Sequence, residues 1–97
     1  MNKFKGTPGP WTVTQDGDFL YQCKIKSDYS PAPIGLVYGG LNDVENGKNA
    51  MLIATAPELL ESCLEMLEEM QVWESEQGEH PAATKARLAI YKALGND

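Results

Sequence analysis

The spacing of apolar residues changes near the middle of the chain. Up to Ile25 they tend to alternate with polar ones, and in the later half they recur at three and four residues. Period two marks strands and period 3.6 marks helices. Trp11-Thr-Val-Thr-Gln15 is aromatic and β-branched and predicts a first strand. Asp16-Gly17 follows as a two-residue hairpin turn, because glycine accepts a positive φ. Phe19 to Ile25 then alternates: Phe19, Tyr21, Cys23 and Ile25 share one face, and Leu20, Gln22, Lys24 and Lys26 share the other. That is a half-buried antiparallel strand. Ser27 to Pro33 reads as a loop punctuated by Pro31 and Pro33, and Ile34 to Tyr38 as a third strand ended by Gly39-Gly40. Leu41 to Lys48 reads as a polar loop, because Asn42, Asp43, Asn46 and Gly47 are turn formers.

Asn49 to Ala54 predicts a short helix, capped by Asn46 or Asp43. Thr55-Ala-Pro-Glu58 has the spacing of a capping box, in which the Thr55 hydroxyl accepts from the Glu58 amide and Glu58 reaches back. Pro57 suits the first turn, where amides lack partners anyway. The next helix is expected over about Ala56 to Glu76, with Leu59, Leu60, Cys63, Leu64, Leu67 and Met70 as its buried stripe. Met66, Met70 and Trp73 widen that stripe by a second apolar edge. Gly78 ends the helix. His80-Pro81 opens a last one, with Ala86, Ala89, Ile90, Ala93 and Leu94 inward and Lys85, Arg87 and Lys92 outward. The expected fold is α+β: a small N-terminal antiparallel sheet of three or four strands, packed on a C-terminal helical hairpin with a short preceding helix. Residues 1–97 form one domain, with a β-rich half over 1–48 and a helical half over 49–97.

A chain of 97 residues supports one core. Chains of this size often gain stability by pairing, and the wide apolar set over residues 59–73 points to a homodimer or higher homo-oligomer. No apolar run approaches the ~20 residues of a membrane span, and the N-terminus lacks the apolar block of a secretory signal. A cytoplasmic protein without membrane contact is the expectation. Cys23 and Cys63 fall in different elements and read as free, buried thiols. His80 is the single histidine, so no zinc set is available, and no cofactor is expected.

Charge narrows the choice further. The net charge is −6, with eight cations against fourteen acids. Direct nucleic-acid binding needs a basic face, so it is not expected. Between Pro57 and His80 stand eight glutamates and no Lys or Arg, which makes one strongly anionic helical face.

Catalysis needs a positioned nucleophile, acid or base. His80 has no serine or cysteine beside it in the chain and reads as a loop residue. Glu65, Glu68 and Glu69 read as a solvated face, and the glycine-rich places lack the spacing of a phosphate loop. The protein is therefore read as a non-enzyme. Two binding surfaces remain. Trp11, Tyr21, Tyr38 and Asn49 offer stacking and hydrogen bonding to a planar ligand; equally, Trp11 pins the sheet and Asn49 is satisfied by backbone. Glu65, Glu68, Glu69 and Trp73 offer an acidic surface to a protein partner.

Thr7-Pro-Gly-Pro-Trp11, followed by Asn49-Ala-x-Leu-Ile-Ala-x-Ala-Pro-Glu-Leu-Leu-Glu61 and by Ala86-Arg-Leu-Ala-Ile-Tyr-Lys-Ala93, resembles a family of small bacteriophage and prophage proteins. The resemblance covers both ends of the chain and little of Thr12 to Lys48. It carries no catalytic residue over. What it implies is the setting: phage-encoded, in the cytoplasm of a bacterial host, as an accessory against host defence or regulation. The resulting expectation is a binding protein that counteracts anti-phage defence by sequestering a nucleotide-like signalling molecule. The alternatives are an inhibitor whose acidic helix masks a basic, nucleic-acid-binding surface of a host defence complex, and a structural or host-takeover accessory.

Overall fold

A computed structural model describes residues 4–15, 22–38 and 43–95. Three strands, β1 (Trp11–Gln15), β2 (Gln22–Ser27) and β3 (Gly35–Tyr38), precede three helices, α1 (Asp43–Ala54), α2 (Ala56–Gln77) and α3 (Pro81–Leu94). The arrangement is α+β, as the change of period predicts. The expected turn at Asp16-Gly17, the strand positions Phe19 to Tyr21 and the Gly39-Gly40 stop lie outside the described residues. The chain divides into two compact units, one holding residues 6–58 and one built on the residues from Leu59 onward.

In the first unit the strands form an antiparallel sheet in the order β1-β2-β3. Val13 pairs with Ile25, and Cys23 with Val37. Alternation along β2 puts Cys23, Ile25 and Ser27 on the covered face and leaves Lys26 exposed. Ser27 was expected in a loop and is instead the last residue of β2. Its backbone pairs with Trp11, and its hydroxyl donates to the Pro8 carbonyl at 2.8 Å. That anchor extends the strand past the point where the apolar alternation stops.

The helix that covers the sheet is α1, which packs on all three strands. Ala50 and Ala54 join Cys23 and Ile25 in the core, with Trp11, Val13, Ile34 and Val37 around them. Two alanines on the inner face let helix and sheet approach closely. The expected polar loop over Leu41 to Lys48 is corrected from Asp43 onward, because α1 begins there. Asn46 and Gly47 are turn formers by local preference, and tertiary context overrides that preference. Asn46 is turned into the core beside Cys23, with its amide nitrogen 3.8 Å from the sulfur.

Two segments far apart in the chain meet in this unit. The Trp11 indole N–H donates to the Thr7 carbonyl at 3.1 Å. Gly9 sits so close to Pro57 that a Cβ built on it would lie 2.9 Å from the proline Cβ. The expected capping box at Thr55 is not what the described hydrogen bonds show. The Thr55 hydroxyl donates back to the Met51 carbonyl at 2.7 Å. Only one residue separates α1 from α2, so Thr55 serves the end of α1.

In the second unit α2 and α3 pack through Leu67, Ala83 and Ile90, with Leu60, Leu64, Met70 and Leu94 around them. Gly78 follows α2 at φ +89°, and its amide donates to the Glu74 carbonyl. Gly95 caps α3 in the left-handed region, where glycine pays no Cβ penalty. Five expected positions are corrected, and two of them, Ala89 and Ala93, are exposed rather than inward. Leu59 and Cys63 are exposed rather than part of the buried stripe. Ala83, Ile90 and Leu94 pack with Leu60, Leu64 and Leu67, which leaves Leu59 exposed and Cys63 in an open cleft beside that contact. Arg87 does not face outward, because its guanidinium pairs with Glu74 on α2.

Candidate functional site

The sequence offers two candidate surfaces, and the structure treats them differently. Trp11 lies on the covered face of the sheet, half-buried against the core, with its N–H satisfied by Thr7. Tyr38 alternates onto the opposite face and is exposed. Trp11 pairs with Ser27 and Tyr38 with Gln22, at opposite ends of β2. At a strand rise of ~3.4 Å and a strand spacing of ~4.8 Å, these positions are about 17 Å apart along the sheet and about 10 Å across it. The sheet therefore does not bring Trp11 and Tyr38 to one pocket. Asn49 is exposed on α1, and Tyr21 lies outside the described residues.

The second surface is the outer side of α2 with the cleft beside it. Glu65, Glu68 and Glu69 are exposed, as their helical spacing predicts. Met66 borders them on the Glu69 side and is 68 % exposed. Trp73 is 45 % exposed and meets the His80 ring edge-on, with centroids 5.3 Å apart. His80 is not a plain loop residue. It is the N-cap of α3, and its Nδ1 accepts from the Ala82 amide at 3.1 Å. That lone pair satisfies a helix end.

Beside Met66 a cleft of about 260 Å³ opens between the two helices. Cys63, Met66 and Met70 line it from α2, and Ala82, Ala83 and Ala86 from α3, with His80 at one end. The alanines make the space, since a larger side chain at any of them would fill it. The cleft and the exposed Cys63 were missed in sequence. A visible signal was the alanine content of α3 facing the Cys63-Met66-Met70 row. Among the described residues no group of three or more His, Cys, Asp or Glu is placed to hold a metal.

Electrostatics set this surface apart from the rest of the chain. Residues up to Lys48 carry five acids and five cations, and those from Asn49 onward carry nine acids and three cations. The whole net charge of −6 therefore belongs to the helical half. One of its three cations is engaged, because Arg87 pairs with Glu74, and a second bond from its Nη1 reaches the carboxylate at 3.4 Å. The Arg87 hydrogen bond holds the Glu74 carboxyl below the usual glutamate range, helped by the His80 amide. The same pairing raises Arg87. Glu74 is thus engaged across the hairpin, and Glu65, Glu68 and Glu69 face outward.

Of the three segments that carry the phage resemblance, residues 7–11 and 49–61 meet at Gly9 and Pro57, and residues 86–93 lie on α3. Among the described residues no helix is long and apolar enough to cross a membrane. Comparison with curated proteins and with solved structures finds no match. A family model described as Salmonella phage P22 protein Y8K6 matches residues 1–97. The match spans the β-rich middle as well as the two motif-bearing ends, and the chain belongs to that phage protein family.

Proposed function

We propose that this phage protein is a non-enzymatic inhibitor that docks through the acidic side of α2 on a basic surface of a host protein complex. A surface that normally grips nucleic acid, within a complex of anti-phage defence, fits that description best. The observation that carries the reading is the outward set Glu65, Glu68 and Glu69, with exposed Met66 at its Glu69 edge, on a helix with no cation along its length. Charge of one sign speeds association with a basic partner and makes it sensitive to salt. Exposed Met66 and Trp73 supply the apolar contact that a purely electrostatic encounter lacks.

Sequestration of a nucleotide-like signal has less support. It requires Trp11 to stack on a ligand, whereas its indole packs on the core and its N–H is engaged by Thr7. Self-association belongs with the main reading. Met51, Leu52 and Ile53 are consecutive and exposed on α1, and contiguous apolar surface of this kind is ordinarily covered.

Capture from host lysate tests the proposal at low and at high salt. The wild-type protein is expected to retain a partner at low salt and release it at high salt. A variant carrying Glu65→Lys, Glu68→Lys and Glu69→Lys is expected to retain none. Equal retention by both proteins would refute the acidic surface. Calorimetry against cyclic di- and trinucleotides and ADP-ribose derivatives is expected to show no heat; a clear isotherm would restore the ligand-capturing alternative.

A further inference from the structure

We propose that the cleft between α2 and α3 receives one apolar side chain from a basic amphipathic helix of the partner. This rests on the reading of α2 as the docking surface and adds the mode of recognition. The cleft is about 260 Å³, near the lower limit of ~300 Å³ for small-molecule pockets. Its size and its thiol, thioether and methyl lining suit a single aliphatic or aromatic side chain. Methionines adapt their shape to what they bind, and Met66 and Met70 line one wall.

Charge identifies the rest of the occupant. Glu69 lies three residues after Met66 and four after Glu65, so it neighbours both on the helix surface, while Glu65 and Met66 diverge. A helix that places an apolar residue against Met66 therefore brings a flanking residue over Glu69, with Glu65 one step further round the helix. Lysine or arginine there completes ion pairs, whereas glutamate is repelled. An apolar anchor with basic neighbours at helical spacing is the helix-in-groove mode. A second copy of this chain fits poorly, because α2 would bring its own glutamates against these.

Cys63 provides the readout. It lines the cleft and is exposed, whereas Cys23 is buried, so a maleimide labels Cys63 selectively. Two synthetic peptides of equal lysine content serve as probes, one with an amphipathic helical pattern and one with the same residues scrambled. Binding is followed by calorimetry and labelling by mass spectrometry. The amphipathic peptide is expected to slow Cys63 labelling about tenfold and the scrambled one to leave it unchanged. Met66→Glu, at an exposed position, is expected to weaken the amphipathic peptide about tenfold while leaving scrambled-peptide binding no weaker. Binding of both peptides without protection of Cys63 overturns the cleft and leaves the acidic surface standing. Binding of neither overturns both. Labelling that slows with protein concentration alone assigns the cleft to a second copy and overturns the proposal.

Discussion

Gly9→Ala tests how the first unit is joined. Gly9 has no positive φ, so alanine can adopt its backbone, and the added methyl meets the Pro57 Cβ at 2.9 Å and Cγ at 3.3 Å. Real Cβ atoms do not approach that closely, and a pyrrolidine ring near the start of α2 has no rotamer by which to move aside. Overpacking of this kind costs ~1–3 kcal/mol. Restricting the unfolded chain returns ~0.4–1 kcal/mol, which at the midpoints of both ranges leaves a net loss of about 1.3 kcal/mol. Urea unfolding followed by circular dichroism measures it as a lower midpoint at unchanged slope. Gly47→Ala is the control. Gly47 lies within α1 and has nothing within 4 Å of the added atom, so that variant is expected to gain ~0.5–1 kcal/mol. Pro57→Gly removes both clashing atoms and, in a double-mutant cycle with Gly9→Ala, is expected to show a coupling of ~0.5–3 kcal/mol. A Gly9→Ala protein as stable as wild type would refute the close approach.

Three further outcomes follow from the packing. Ile25 is 1 % exposed at the centre of the sheet core, and Ile25→Ala is expected to cost ~2–5 kcal/mol by urea unfolding; a loss under 1 kcal/mol would remove it from the core. Glu74 is held below its unfolded value near ~4.3, so its pairing stabilises the fold above that pH and fades as pH falls through the lower folded value. The stability gap between wild type and Arg87→Met is therefore expected to shrink in acid, and a gap constant with pH would show the pair to be unimportant. Light scattering is expected to show an oligomer that Leu52→Lys and Met51→Lys dissociate; a monomer at high micromolar concentration would end the self-association proposal.

Much of the architecture was legible because periodicity survives packing. Leu67, Ile90 and Ile25 are inward where the pattern puts them. The start of α1 is not legible, since Asp43, Asn46 and Gly47 favour turns, whereas in the fold the segment continues the helix that packs Ala50 and Ala54 on the sheet. The Thr55 capping box was a local signal outcompeted by a nearer acceptor, the Met51 carbonyl. Charge count placed the acidic face, and that face is exposed as expected at Glu65, Glu68 and Glu69. The pairing of Arg87 with Glu74 across the hairpin was not legible, because the partners stand thirteen residues apart and only the packing of α3 on α2 brings them together. The separation of Trp11 from Tyr38 likewise needs the strand register, which the loop lengths alone do not fix.

The central claim is that the α2 surface, rather than the Trp11 region, carries binding. The most direct measurement is the affinity of three purified baits for the one host protein captured at low salt: wild type, the Glu65→Lys, Glu68→Lys and Glu69→Lys variant, and Trp11→Phe, which keeps an aromatic ring on the core. Wild-type affinity is expected to fall steeply with salt, the charge-reversed variant to show no measurable binding, and Trp11→Phe to bind within about twofold of wild type, as for a residue outside the contact. Binding that survives charge reversal and is lost in Trp11→Phe would contradict the claim.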